Sequence, residues 1–345
     1  MFRLLQGDVG SGKTIVSLLA AFNTINSGFQ VAVMAPTEIL ARQHYNLAKK
    51  IFPSNISTEL ISGKSSYKEK KLILNELINN KINIIFGTHA IFQKTVKFKK
   101  LGLIIIDEQH KFGVNQRKRL SDKGGNDCDV LLMTATPIPR TLTMTIYGDM
   151  DLSIIREKPK NRKMIKTYSK LESKIDDVIK FIKKEINLGN QIFWVCPLIE
   201  ESKKLDHTSA IQKFEYLKKL FPKQVSILHG KTDINEKDEI LKKFLNKEFK
   251  VLVSTTIIEV GIDFPNANVI IIENANKFGL SQLHQLRGRV GRGEKEATCI
   301  LMFKSNLSEN AKKRINILKE TNDGFVISEE DMKIRGFGDI LGFKQ

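Results

Sequence analysis

The sequence has few cysteines and lacks any long apolar run. Its three cysteines, Cys128, Cys196 and Cys299, lie far apart and do not match the spacing of a metal site. We interpret them as reduced core residues, because disulfide frameworks need more and closer cysteines. No apolar stretch approaches the roughly 20 residues that span a bilayer, and the first residues do not resemble a signal peptide. The sequence thus predicts a cytoplasmic protein with no membrane association.

Acidic residues are scarce relative to basic ones. The 345 residues include 56 lysines and arginines against 38 aspartates and glutamates, a formal net charge of +18. A basic surface of this size favours a polyanionic partner, with nucleic acid first. A lysine-rich bias of the source genome is the alternative explanation, so the charge alone does not decide between them.

Short apolar runs alternate with amphipathic stretches along most of the chain. Residues 31–35, 103–106 and 130–133 are typical of buried parallel strands, and residues 37–52 of a helix. This alternation predicts an α/β fold with parallel, doubly wound sheets. The polar, proline-containing segment 155–162 is interpreted as a linker, after which the alternation restarts. We therefore predict one lobe over residues 1–155, a second over 165–304, and a small helical hairpin and loop appendage over 305–345.

A phosphate-binding loop follows the first apolar run and precedes a helix-like stretch. It matches the pattern G-x-x-x-x-G-K-[ST] of P-loop nucleotide enzymes over Gly7, Asp8, Val9, Gly10, Ser11, Gly12, Lys13 and Thr14. The glycines allow the backbone N–H groups to approach a triphosphate. Lys13 is expected to reach the β- and γ-phosphates, and Thr14 to hold Mg²⁺. The loop predicts binding of ATP with Mg²⁺.

An acidic pair follows the apolar run 103–106. Asp107 at the end of a parallel strand is expected to bind Mg²⁺, and Glu108 to orient and deprotonate the attacking water. Gln109 and His110 complete the box D-E-Q-H. Thr134 and Thr136 follow another buried run, where their hydroxyl groups are predicted to sense the acidic box and transmit the nucleotide state. A simple turn at the strand end is the alternative for each threonine.

The second half of the chain contains the pattern Q-x-x-G-R-x-G-R over residues 285–292. Arginine keeps its charge when desolvated and offers a planar fork of donors to phosphate oxygens, so Arg289 and Arg292 are candidates for contacting the γ-phosphate. Gln285 is expected to contact nucleotide or the acidic box. An exposed basic helix is the alternative. More weakly, Thr255 is a candidate for contacting a nucleic-acid strand, and Asp263 for meeting the nucleotide.

The order of these motifs resembles superfamily-2 helicases and translocases. Longer segments resemble the RecG family of bacterial branched-DNA helicases, and they extend over nearly the whole chain: residues 3–14, 35–44, 86–93, 105–117, 133–142, 194–202, 254–267 and 282–293. The resemblance implies two tandem RecA-like lobes that hydrolyse ATP and translocate on double-stranded DNA. It also implies remodelling of stalled forks and Holliday junctions in DNA recombination and repair, and we expect a monomer.

The resemblance further assigns a role to the end of the chain. Residues 324–336 resemble the family's translocation element, a helical hairpin and loop that couples ATP hydrolysis to movement of the duplex. Arg335 and the loop 336–342 are the working part of that element in this comparison. Gln109 and His110 of the acidic box are expected to take part in the same coupling between nucleotide and DNA.

Members of this family usually carry an N-terminal region with an OB-fold wedge, which the present sequence does not contain. Two alternatives follow from this difference. In place of an active translocase, the chain would then be a non-catalytic remnant that binds nucleotide and DNA, or one half of a split protein whose partner is a separately encoded wedge region. A third alternative is the transcription-repair coupling translocase, although its acidic box usually reads D-E-E-H where Gln109 stands here.

Overall fold

The computed structural model describes most of the chain and divides it into two compact units. Unit 1 is Met1–Lys158 and unit 2 is Pro159–Gln345. The described residues are 1–63, 65–93, 95–108, 128–135, 150–157, 163–197, 203–230, 232–255, 264–291 and 295–335. Helices and strands are numbered below in chain order within these residues.

Unit 1 is built on a seven-stranded sheet in the spatial order β3-β4-β2-β5-β6-β1-β7. Every pairing in it is parallel. The strands are β1 Phe2–Gly7, β2 Gln30–Met34, β3 Thr58–Ile61, β4 Ile84–Gly87, β5 Leu101–Ile106, β6 Asp129–Thr134 and β7 Asp151–Ile155. The helices are α1 Lys13–Asn26, α2 Glu38–Ile51 and α3 Tyr67–Ile78, with a short 3₁₀ helix at His89–Phe92.

Local sequence signals explain where the helices of unit 1 begin. The Thr37 hydroxyl accepts a hydrogen bond from the Leu40 N–H and caps α2, and Glu38 lies in the first turn, where the helix dipole favours an acid. A reciprocal capping box starts α3, because Ser66 Oγ accepts from Glu69 N–H and Glu69 Oε2 accepts from Ser66 N–H. These caps fix the helices that flank the central strands.

Unit 2 contains a six-stranded parallel sheet in the order β10-β11-β9-β12-β13-β8. Its strands are β8 Ile165–Leu171, β9 Gln191–Val195, β10 Val225–Leu228, β11 Val251–Ser254, β12 Ala267–Ile272 and β13 Ala297–Phe303. Its helices are α4 Ile175–Asn187, α5 Lys203–Leu220, α6 Ile234–Leu245, α7 Leu280–Arg287, α8 Glu309–Glu320 and α9 Gly324–Arg335, with 3₁₀ turns at Glu172–Lys174 and Ala275–Lys277. Helices α8 and α9 pack against α7.

The two sheets repeat one plan. Adding seven to each label of β3-β4-β2-β5-β6-β1 gives the strand order of unit 2, and α1, α2 and α3 occupy the same places in the chain order as α4, α5 and α6. The sequence shows no short repeat that would have predicted this correspondence. Both units are the parallel α/β sheets that the alternation of strands and helices predicts, and their common plan agrees with the two tandem RecA-like lobes that the family resemblance implies.

Matched hydrogen bonds support the correspondence. Gln30 opens β2 and its amide nitrogen donates to the carbonyls of Leu77 and Ile82 at 2.8 and 2.9 Å. Gln191 opens β9, the counterpart of β2, and its amide nitrogen donates to the carbonyls of Phe244 and Phe249 at 2.6 and 3.1 Å. In each unit a buried glutamine therefore ties its strand to the segment that precedes the neighbouring strand.

Most of the predicted strands and helices are present with small shifts at their ends. Strands β3, β7 and β8 were not predicted. The predicted linker 155–162 begins at the last residue of β7, and residues 158–162 lie outside the described residues. Within the described part of the chain, no helix combines the length and apolar character needed to cross a membrane.

Candidate active site

The sheet of unit 1 brings the predicted nucleotide-site residues together at the carboxyl ends of three internal strands. Strands β5, β6 and β1 are consecutive neighbours, and their carboxyl ends lead into Asp107, Thr134 and the phosphate loop at Gly7. Gln6 and Thr134 are register partners in β1 and β6. Because open α/β sheets bind ligands at the carboxyl ends of their parallel strands, these strand ends are the candidate active site.

The phosphate loop leaves donors at the start of α1 without a protein cap. Gly12 precedes the helix with φ of 91°, in the left-handed region that favours glycine, and no atom lies within 4 Å of the position where its Cβ would be. Among the residues that the structure describes, no side chain caps the helix there. The first N–H groups of a helix lack intrahelical acceptors and carry the positive end of its dipole, so they suit phosphate oxygens.

Side chains of the loop are also arranged for an anion. Lys13 Nζ donates to the carbonyl oxygens of Gly7 and Asp8 at 2.8 and 3.0 Å, which keeps its ammonium group inside the loop. Ser11 Oγ is buried and has no hydrogen-bond partner among the residues that the structure describes. A side chain at Gly7 would collide with this Ser11 hydroxyl group. The loop therefore has the shape and the donors that a triphosphate requires.

Asp107 is buried and charged at neutral pH. Burial raises the pKa of its carboxyl group, but the hydrogen bond and charge interaction with His44, followed by the positive charge of Lys13, outweigh burial and hold the pKa below its ordinary value. His44 Nε2 lies 2.8 Å from Asp107 Oδ2. The other carboxylate oxygen, Oδ1, accepts the Glu108 N–H at 2.9 Å. The site thus holds a fixed anionic ligand next to the phosphate loop.

Glu108 has a backbone φ of 51°, which is rare for a residue with a side chain. Glu108 is half-buried and follows Asp107 just beyond the end of β5. Backbone conformations of this kind cost energy and concentrate at functional sites. The geometry is therefore consistent with the role of a positioned carboxylate that the sequence predicts for Glu108.

The predicted residues of the second half lie in unit 2. Arg289 is buried just beyond α7, and Gln285 is half-buried on that helix. Thr255 follows β11, and the structure describes no hydrogen-bond partner for its buried hydroxyl group or for that of Ser254. Six further candidates lie outside the residues whose side chains the structure describes: Gln109, His110, Thr136, Asp263, Arg292 and Arg335.

Two buried side chains, one in each unit, were missed by the sequence analysis. His44 was quoted only within a motif segment, although it contacts Asp107 directly. Arg287 is 1% exposed and donates to the carbonyls of Leu318 and Thr321 at the end of α8, at 2.7 and 2.9 Å. The signal was present for Arg287, since it belongs to the arginine-rich motif, but its spacing gave no reason to separate it from Arg289.

Family models match both halves of the chain. Residues 3–145 match the family described as DEAD/DEAH box helicase, and residues 173–294 match the family described as helicase conserved C-terminal domain. The chain is 49% identical over its full length to the ATP-dependent DNA helicase RecG of Bacillus subtilis, and 48% identical to that of Thermotoga maritima, of which it covers 51% and 44%. The chain thus spans about half the length of the curated relatives it matches.

Solved structures give the same result. A structure of RecG bound to a three-way DNA junction superposes with a TM-score of 0.83 at 44% identity, covering 98% of this chain and 44% of that one. A Saccharomyces cerevisiae Dbp5 structure, bound to RNA and ADP BeF3, superposes with a TM-score of 0.69 at 21% identity over 97% of this chain and 90% of that one, which shows the fold alone. Neither a non-catalytic remnant nor a transcription-repair coupling translocase finds support among these relatives.

Proposed function

The chain belongs to the RecG type of DNA helicase, and from this premise we propose that it hydrolyses ATP and uses the free energy to move on branched double-stranded DNA. The observation that carries the proposal is the phosphate loop at the start of α1, which is open to an anion and whose Lys13 acts electrostatically on the Asp107 carboxylate. Substrates of this class, forks and Holliday junctions, place the activity in DNA recombination and repair.

We assign the chemical step to residues of the loop and of the acidic pair. Backbone N–H groups of the loop and the Lys13 ammonium group bind the β- and γ-phosphates. Glu108 orients a water molecule in line with the γ-phosphate and accepts its proton. Arg289 and Arg292 stabilise the charge that develops on the transferred phosphoryl group, with Gln285 next to them. Asp263 is assigned to nucleotide binding.

The residues present fit a magnesium ion. Asp107 supplies a buried carboxylate whose pKa is held low, and Thr14 supplies a hydroxyl group at the start of α1. Oxygen ligands of this kind are those that Mg²⁺ prefers, with waters and phosphate oxygens completing its shell. The ion would neutralise charge on the phosphates, while Thr14 and Asp107 hold it in place.

We assign the DNA contacts to residues of unit 2, and the link between these contacts and the nucleotide to residues of unit 1. Thr255 and the translocation element with Arg335 are proposed to contact the duplex, and Gln109, His110, Thr134 and Thr136 to link these contacts to the nucleotide. The relatives named RecG are about twice as long as the chain, and a wedge region is therefore proposed as a partner in splitting junctions. We propose that the protein acts as a monomer in the cytoplasm.

Steady-state ATP hydrolysis tests this proposal. The rate is measured without DNA, with a linear duplex and with a model fork, and in parallel for Lys13→Ala. We expect hydrolysis that DNA stimulates and that Lys13→Ala abolishes, because the ammonium group of Lys13 is lost from the phosphate site. Hydrolysis that persists unchanged in Lys13→Ala, or no hydrolysis under any condition, would contradict the proposal.

A further inference from the structure

The His44 side chain forms a buried hydrogen bond with the carboxylate of Asp107, the proposed magnesium ligand. It lies on α2, and its Nε2 is 2.8 Å from Asp107 Oδ2. Both side chains are almost completely buried, with 7% and 11% of their surface exposed. An ionised carboxylate has only acceptor atoms, so the imidazole nitrogen must be the donor in this hydrogen bond.

Donors on both oxygens fix the orientation of the Asp107 carboxylate. His44 Nε2 donates to Oδ2, and the Glu108 N–H donates to Oδ1 at 2.9 Å. The Asp107 N–H donates in turn to the Met34 carbonyl oxygen at 2.9 Å, which joins the residue to the end of β2. Each carboxylate oxygen keeps a further lone pair. Because both donors hold the carboxylate in one orientation, the directions of these lone pairs are fixed as well.

Unit 2 contains the counterpart of this arrangement. Glu273 follows β12 as Asp107 follows β5, and its N–H donates to the Val195 carbonyl oxygen at the end of β9, also at 2.9 Å. The carboxylate is paired by Lys213 of α5, the counterpart of α2, with Nζ 2.7 Å from Oε1. His44 and Lys213 each lie seven residues before the last residue of their helix.

Lys213 and His44 differ in whether they leave the paired carboxylate able to bind a cation. Lys213 brings a full positive charge to Glu273, and its Nζ also lies 5.2 Å from the centre of the Trp194 ring. Unit 2 has no phosphate loop after β8, where a 3₁₀ turn at Glu172–Lys174 leads into α4 instead. In unit 2, which has no phosphate loop after β8, Lys213 thus neutralises Glu273. In unit 1, which has the phosphate loop, His44 forms a hydrogen bond with Asp107 instead.

We propose that His44 is a positioning residue that holds the Asp107 carboxylate for the Mg²⁺–nucleotide complex, and that a lysine at this position would close the site to the ion, as Lys213 closes its counterpart. This inference rests on the proposed function. Histidine directs a single ring N–H at one carboxylate oxygen, whereas a lysine ammonium group places three donors and a compact, permanent positive charge at the same oxygen.

Nucleotide binding by the full chain tests the inference without relying on turnover. The probe is the fluorescent, non-hydrolysable analogue N-methylanthraniloyl-AMP-PNP, titrated with Mg²⁺ and again in EDTA. The quantity compared is the ratio of the two affinities. We expect His44→Leu to reduce this ratio by about tenfold or more, the size typical of outer-shell partners of metal ligands, and to leave the affinity in EDTA unchanged.

Two further variants separate positioning from packing. His44→Gln keeps an amide donor at a similar reach and is expected to retain most of the Mg²⁺ effect, whereas His44→Lys is expected to abolish it. The matched control is His89→Leu, an exposed histidine on the 3₁₀ helix His89–Phe92, which should leave the ratio unchanged. If His44→Leu does not fold, as judged by circular dichroism, the comparison of His44→Gln with His44→Lys carries the test.

The outcomes distinguish this inference from the proposed function. A wild-type chain that binds the analogue more tightly with Mg²⁺, together with an unchanged ratio in His44→Leu or His44→Lys, overturns the role of His44 and leaves the ATP site intact. Equal loss of affinity in Mg²⁺ and in EDTA in His44→Leu assigns His44 to packing and also overturns the inference. A wild-type chain that does not bind the analogue overturns the proposed function and the inference together.

Discussion

Asp107 and Glu108 share one strand end but have different backbone conformations and different proposed roles. Asp107 continues the sheet by donating to the Met34 carbonyl oxygen, whereas Glu108 turns into the left-handed region with φ of 51°. The turn allows the Glu108 N–H to fix the Asp107 carboxylate. The sequence could predict that an acidic pair ends this strand. It could not predict the turn, because no glycine or asparagine marks it.

Replacing the proposed base without changing its shape isolates the chemical step. Glu108→Gln should lower DNA-stimulated ATP hydrolysis by about 10²- to 10⁴-fold, since a positioned base contributes that much. Nucleotide affinity should stay close to that of the wild type, because the phosphate loop is unaltered. The control is Glu215→Gln, an exposed position on α5. Hydrolysis at the wild-type rate in Glu108→Gln would remove Glu108 from the mechanism.

The three cysteines are free thiols with suppressed reactivity. Burial raises the pKa of Cys299 to about 12, and burial with the charge of Asp129 raises that of Cys128 to about 11. Burial and the nearby Glu273 carboxylate also raise the pKa of Cys196. Only Cys196 and Cys299 are core residues as the sequence predicts, since Cys128 is half-buried.

These pKa shifts predict slow alkylation of the folded chain. The thiolate is the reactive form, and a raised pKa leaves almost none of it at pH 8. Iodoacetamide followed by mass spectrometry should therefore find Cys196 and Cys299 unmodified in the native protein, and Cys128 modified more slowly than in guanidinium chloride, where all three should react. Rapid modification of native Cys299 would contradict its burial in the sheet.

At the scale of helices and strands, the strands that the sequence missed have a common position. Strands β3, β7 and β8 lie at sheet edges. An edge strand need not be apolar on both faces, and charged residues protect its open side. Strand β8 illustrates this, because its lysines at 166 and 170 are exposed and Tyr168 is half-exposed. Central strands were predicted because both of their faces are buried and their sequences are continuous apolar runs.

The sequence did not predict the burial of helix α7. The sequence left open an exposed basic helix, but Leu280, Leu283, His284, Leu286 and Arg287 are buried. The Arg287 guanidinium group is compensated by carbonyl oxygens and by His284 Nδ1 at 2.9 Å. Burial of such a charge depends on partners distant in sequence, which a local pattern does not contain.

The paired glutamines of the two sheets make a prediction about stability. Gln30→Leu leaves two carbonyls and the Lys99 and Lys100 N–H groups without their partner, whereas Gln191→Leu leaves two carbonyls. A buried group left unsatisfied costs roughly 1–3 kcal/mol, so both variants should unfold at lower urea concentrations, and Gln30→Leu at the lower of the two.

The control for this pair is Gln212→Leu, an exposed position on α5. Its unfolding midpoint, followed by circular dichroism, should match that of the wild type. A midpoint for Gln30→Leu equal to that of Gln212→Leu would mean that the amide contributes nothing that leucine packing does not replace. The two glutamines would then be a common structural feature of both units without a common role in stability.

At the scale of the whole molecule, the sequence predicted two lobes but not their detailed correspondence. Alternation of apolar runs and helices is sufficient to predict tandem parallel sheets. The equivalence of His44 with Lys213, and of Asp107 with Glu273, depends on strand order and on contacts across the sheet edge. Because the equivalent residues differ in type, a comparison of the two halves as sequences does not reveal this equivalence.

The net charge of +18 makes a prediction about DNA binding by the entire chain. Lysines and arginines that neutralise phosphates release counterions, so log K should fall linearly with log salt concentration with a slope of about −0.9 per phosphate contacted. A track with about six such contacts loses on the order of a thousandfold in affinity between about 50 and 200 mM salt. Fluorescence anisotropy of a labelled duplex and a labelled fork measures both slopes.

Comparison of the two slopes separates charge from shape. Equal, steep slopes with a constant offset between fork and duplex would mean that phosphates supply the affinity and that the branch is recognised by contacts that salt does not screen. A slope near zero would refute a basic DNA track and would leave the excess of lysine as a compositional feature of the chain. Identical affinities for fork and duplex would instead assign recognition of the branch to regions of the longer relatives that this chain does not match.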